Sequence, residues 1–135
     1  MKINIAPGRK ISEIQEEFNR EFPYLKLEFF NNKSHQLGAK REPLPVNGNQ
    51  PLSKCQSVTS EGVIQFSDVT TVKDLEKAFR EDFHVQAQVF RHSGSLWLET
   101  TLTDQWTLKK QNEHGKELSQ QPAKEQPEDY DLMRD

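Results

Sequence analysis

INIAPGRKISEIQEEFNREF, residues 3–22, returns without a gap at residues 64–83 as IQFSDVTTVKDLEKAFREDF. Ile3 and Ile5 match Ile64 and Phe66, while Ile11, Ile14, Phe18 and Phe22 match Val72, Leu75, Phe79 and Phe83. After a one-residue step at Pro23-Tyr24, Leu25, Leu27 and Phe29 align with Val85, Ala87 and Val89. Each copy alternates at period two, changes to helical spacing, and alternates again, the pattern of strand, helix, strand. Two βαβ units in one chain predict an α+β domain of ferredoxin-like plan, an antiparallel sheet with both helices on one face. Neither half buries its own helix stripe, so the halves are expected to pack together, with a domain-swapped or dimeric version as the other solution.

The boundaries follow from local signals. Met1 to Ala6 is the first strand, closed by Pro7-Gly8; Ser12-Glu13 opens a helix that Pro23 ends, and Tyr24 to Phe30 is the second strand. Asn31 to Glu61, with Pro43, Pro45, Pro51 and Asn47-Gly48, is expected to be a long loop with a short strand near Lys54 to Val58. In the second copy Gly62 to Ser67, Val72 to Phe83 and His84 to Arg91 form strand, helix and strand, with Thr71 and Asp74 at the helix start. His92-Ser93-Gly94 turns the chain into an extra hairpin strand, Ser95 to Thr101. Thr103-Asp104 caps a short third helix, Gln105 to His114, stopped at Gly115.

Composition divides the chain into a single domain over residues 1–116 and an acidic tail over 117–135. The tail carries six acidic and two basic residues, and the remainder holds 15 acidic and 16 basic. Rich in Gln, Glu, Pro and Asp, the tail is expected to be disordered. The near-neutral body lacks the field that drives nucleic-acid binding. The outward positions of the two strands expected to be central, Lys2, Asn4, Val63 and Gln65, offer no aromatic ring for a base to stack on. No apolar run suits a signal peptide or a membrane span, so a cytoplasmic, non-membrane protein is expected.

Chemistry-bearing motifs are sparse. Cys55 is the only cysteine, and His35, His84, His92 and His114 show no zinc-site spacing, so neither metal nor cofactor is implied. Cys55 with His35 inside the long loop is the one nucleophile–base pairing open to an enzyme, against the plainer reading of a lone thiol and a solvated histidine. The carboxylates Glu16-Glu17, Glu76 and Glu81-Asp82 fall opposite the apolar stripes and read as solvated faces. The aromatics are more suggestive. Phe90 and Trp97 fall on the sheet face opposite Val85, Ala87 and Val89, with Trp106 just beyond, and such a cluster marks a protein partner or a second copy unless the third helix covers it.

The run from Leu75 to Asn112, above all VFRHSGSLWLET at 89–100 and TDQWTL at 103–108, resembles a segment of small bacterial proteins of unknown function. That resemblance implies a bacterial source and a compact α+β domain, and it brings no activity with it. The expectation is therefore a non-enzymatic interaction module that binds a protein partner or a second copy of itself, with a small enzyme or ligand-binding protein using the 31–61 loop as the alternative.

Overall fold

The structure, a computed structural model, describes residues 1–31 and 46–120. His35 and the acidic tail beyond Gln120 lie outside the described residues. In chain order the elements are β1 (Lys2–Ile5), α1 (Ile11–Glu21), β2 (Leu25–Phe30), β3 (Gly62–Gln65), α2 (Val72–Phe83), β4 (Gln86–Ser93), β5 (Leu96–Glu99) and α3 (Leu108–Gln120). The chain is α+β, with three helices and two small antiparallel sheets among the described residues. No described helix is long and apolar enough to cross a membrane.

The apolar stripes behave as their spacing demands. Ile11, Ile14 and Phe18 of α1 and Val72, Leu75, Phe79 and Phe83 of α2 are buried in one core with Ile3, Ile5, Ile64, Leu25, Leu27, Phe29, Val85 and Val89. Phe29 and Phe79 meet edge to face at 5.4 Å between ring centres, tying the second strand of one copy to the helix of the other. Thr71 caps α2 as its sequence suggests, its hydroxyl accepting from the Asp74 N–H at 3.1 Å.

The strands part differently from a single sheet. β1 pairs with β3, and β2 pairs with β4, which carries β5 on its other edge. The β2–β4 ladder runs over six residue pairs, more than either four-residue strand, β1 or β3, offers as a partner. Both registers are centred on residues that the repeat aligns: Ile3 faces Ile64, and Glu28 faces Gln88. An antiparallel ladder in which a residue opposes its own counterpart has a local twofold at that point, so both ladders relate the copies in the same way.

The 31–61 stretch is not a plain loop where it is described. Ile11 and Ser12, the first two residues of α1, donate their N–H groups to Gln50 O at 3.0 Å and Gly48 O at 2.9 Å. Leu52 and Ser53 donate back to Arg9 O at 2.8 Å and Pro7 O at 3.0 Å. The second copy repeats the set: Val72 and Lys73 donate to Trp106 O at 3.1 Å and Asp104 O at 2.8 Å, and Leu108 and Lys109 to Thr70 O at 2.8 Å and Asp68 O at 2.9 Å. Residues 47–54 are thus the structural counterpart of residues 103–110, and Leu52 and Leu108, both fully buried, anchor the two segments. The expected strand near Lys54 to Val58 is replaced by a 3-10 turn at Leu52–Lys54 and an isolated bridge from Gln56 to Val85.

The C-terminal part needs two corrections. The hairpin turn is Gly94-Ser95, because Ser93 pairs with Leu96; Gly94 adopts φ 63°, the left-handed region a tight turn requires. α3 starts at Leu108, where the Thr107 hydroxyl caps the Lys110 N–H at 3.1 Å, and it passes through Gly115 to Gln120. Gly115 is therefore not a stop, and the expected domain limit at residue 116 falls inside a helix. Its lack of a side chain lets α3 lie against β2 and β4: a Cβ there would stand 3.0 Å from Arg91 Cγ and Tyr24 Cβ and 3.1 Å from His92 O. Gly115→Ala is accordingly expected to lower the unfolding free energy in a denaturant titration, opposite in sign to the gain of about 1 kcal/mol that helix propensity alone gives alanine. Equal or higher stability would show that α3 does not sit this close.

Candidate functional site

Each helix of the repeat runs beside the outer edge of the strand that follows it, and a cleft lies between them. The ladder pattern decides which backbone groups face these clefts. His92 N–H bonds Tyr24 O at 2.9 Å, so by alternation Lys26, Glu28 and Phe30 bond β4 while Leu25, Leu27 and Phe29 turn their backbone groups outward. In the first copy those outward carbonyls are taken. Asn19 Nδ2 donates to Leu25 O at 2.8 Å, Gln15 Nε2 to Leu27 O at 2.8 Å, and Val46 N–H to Phe29 O at 2.8 Å. What remains there is a cleft of about 360 Å³ lined by Ser12, Gln15, Asn19, Lys26, Glu28 and Trp97.

The matching cleft of the second copy has different chemistry. It measures about 490 Å³ and is lined by Ser57, Glu76, Arg80 and His84 with the edge of β4 from Val85 to Gln88. Glu76 stands where the first copy has Gln15, and Arg80 where it has Asn19. A carboxylate cannot donate to a carbonyl, so Glu76 instead accepts, at 2.8 Å, the outward N–H of Val89. Val89 O is met by the Thr100 hydroxyl at 2.9 Å, and the Val85 N–H by Phe79 O at 3.2 Å. Between these the backbone amide and carbonyl of Ala87 face the cleft. His84 closes α2 in the left-handed conformation, φ 58°, a place where glycine is the common choice.

Glu76 is the functional group that pattern reading missed, because its place opposite the apolar stripe looks solvated. Burial pushes its carboxyl up to about 7, aided by the Asp104 and Glu99 carboxylates, against the Val89 N–H and Arg80, which favour the charged form. The signal that finds it is its alignment with Gln15, a second polar side chain that reaches the strand edge.

The aromatics divide between two sides of the sheet. Phe90 is half-buried and Trp97 is 36% exposed on the same face, with Lys26 Nζ 5.7 Å from the Phe90 ring centre and 4.9 Å from that of Trp97. His92 lies 4.7 Å from Trp97 between ring centres. Trp106 is not with them. It packs on the α3 side, edge to face with His114 at 5.4 Å and under Lys110 Nζ at 4.3 Å. Arg91, which alternates to that side, is 2% exposed and donates to Gln111 Oε1 at 2.8 Å.

Cys55 sits in the core, 1% exposed, and burial pushes its thiol up to about 12, so it is protonated at neutral pH. Among the described residues no group of three or more His, Cys, Asp or Glu side chains is placed to hold a metal ion. Compared with protein-family models, with curated proteins and with solved structures, the chain matches none.

The raised carboxyl of Glu76 has a consequence for stability. In the unfolded chain this group ionises near the usual Glu value of about 4.3, and in the fold near 7, so the folded state holds the extra proton between those limits. Its contribution to stability therefore falls as pH rises from about 4.5 to 7 and levels off above. Glu76→Gln keeps an acceptor for Val89 and removes the titration. The variant is expected to gain thermal stability over wild type at pH 8 and to gain less at pH 5; a pH-independent difference would contradict the burial of this carboxylate.

Proposed function

We propose that this chain is a non-enzymatic protein-interaction module that associates with a second copy of itself through β5. Its two βαβ copies are read as a duplicated unit of ferredoxin-like plan whose sheet has parted in two. The observation that carries the proposal is the edge of β5 and what flanks it. Leu96 is 46% and Trp97 36% exposed on β5, and Leu102, in the turn that follows the strand, is 91% exposed. A strand edge of this kind is a pairing surface, and a twofold is the simplest operator by which one chain satisfies it. The chain already pairs its own matching strands in this antiparallel way, around Ile3 and Ile64 and around Glu28 and Gln88. The Trp97 ring, in contact with both His92 and Lys26, supplies the large anchor that protein interfaces favour.

A thiol enzyme built on Cys55 fits poorly, since a nucleophile needs access and a lowered pKa, and Cys55 has neither. Its alkylation is expected to be slow in the native protein and fast in denaturant. Sedimentation of wild type should show a concentration-dependent dimer, and Trp97→Ala should shift it to monomer with the far-UV spectrum unchanged. A monomer at all concentrations, with a Trp97 that collisional quenchers reach, would sink the proposal.

A further inference from the structure

We propose that the cleft beside β4 is a second binding site, separate from the β5 border, which takes an extended peptide bearing a basic side chain and adds it as a short strand at Ala87. The edge is already used in this manner one step further on: Phe90 to Ser93 pair with β5. Beyond that pairing the ladder turns the Ala87 N–H and C=O into the cleft, where they continue the line that β5 begins. On the matching edge of β2 the outward carbonyls are taken by Gln15, Asn19 and Val46 of the same chain, so the copies differ at the carbonyl an incoming strand would bond.

The side chains fix polarity and specificity. α2 runs antiparallel to β4, which sets Glu76 beside Val89 and Arg80 nearer Val85. One oxygen of Glu76 holds the Val89 N–H; the other has no hydrogen-bond partner among the described residues and is not sealed from solvent. Neither Glu76 nor Arg80 has an ion-pair partner within 4.0 Å among the described residues. Around Glu76 the remaining charges are Asp104 before α3, Glu99 on β5, and Arg80 one turn along α2, with His84 at the far end. Three carboxylates at one end attract a Lys or Arg side chain, and Arg80 at the other meets a carbonyl or carboxylate oxygen of the peptide. With Val89 held by Glu76 and Thr100, and the Val85 N–H by Phe79, the open part of the edge is Ala87, which pairs one residue of an extended peptide and leaves its two neighbours, each about 3.3 Å along, to reach the flanking side chains.

A basic group binds the ionised form of Glu76, so affinity should rise with pH through about 7. The test is an amide-shift titration of the isotopically labelled full chain with acetyl-Val-Arg-Val-amide, and with acetyl-Val-Gln-Val-amide as the neutral counterpart. The Ala87 and Gln88 amides should shift with the Arg peptide at pH 8, with affinity about tenfold or more lower for the Gln peptide. Glu76→Gln and wild type at pH 5.5 should both lose that preference; the pH arm stands alone if the variant does not fold. Absence of shifts at Ala87 and Gln88 at millimolar peptide, or an Arg preference unchanged in Glu76→Gln and at pH 5.5, would overturn the proposal.

Discussion

The first turn of a helix presents N–H groups that the helix itself cannot satisfy, and in this chain another stretch of backbone answers them. Gly48 and Gln50 supply the carbonyls for α1, and Asp104 and Trp106 supply them for α2. Much of the remaining structure hangs on these two contacts. Because the first segment must lie across the start of α1, it carries Leu52 and Cys55 into the core and brings Gln56 and Ser57 to the start of β4, where the Ser57 N–H reaches His84 O at 2.9 Å. Because the second must lie across α2, it aims α3 at the sheet, where Gly115 lets the helix settle on Arg91 and His92. The same contacts occupy both helix N-termini with protein, so the macrodipoles of α1 and α2 are spent within the fold rather than offered to an anion.

Two copies built to one plan make their differences informative. Gln15 and Asn19 close the β2 edge with neutral amides; Glu76 and Arg80, at the matching positions, leave ionisable groups beside an incompletely paired edge. The second copy also carries the added hairpin, which ends in the exposed border of Leu96 and Trp97. Both candidate surfaces therefore fall where the second copy departs from the first, and for the cleft Gln15 and Asn19 show the same two positions with side chains that bond the strand edge.

Much of the fold was legible because burial writes itself into spacing. The stripes of α1 and α2 and the alternation of β2 and β4 identify the buried face of each element. The docking segments were hidden for a physical reason. Their contacts are backbone to backbone, so Asn47 to Lys54 and Thr103 to Lys110 share little beyond Leu52 and Leu108, the two side chains that must be apolar. A helix-ending glycine and a close-approach glycine look alike in sequence, and Gly115 is the second kind. Trp106 stands close to Phe90 and Trp97 along the chain, but the direction of α3 puts it on the other side of the sheet. Glu76 escaped notice because a long side chain on the polar face still reaches over a strand edge.

The measurement that bears most directly on this account is amide hydrogen exchange at Ile11, Ser12, Val72 and Lys73 under native conditions. First-turn amides of an uncapped helix are open to water and exchange quickly, whereas amides bonded to docked carbonyls open only when the segment lifts. All four are expected to be protected in wild type. Leu52→Ala should speed exchange chiefly at Ile11 and Ser12, and Leu108→Ala chiefly at Val72 and Lys73. Exchange of these amides at the rate of unstructured peptide in the wild-type protein would contradict the docking on which the rest of the structure depends.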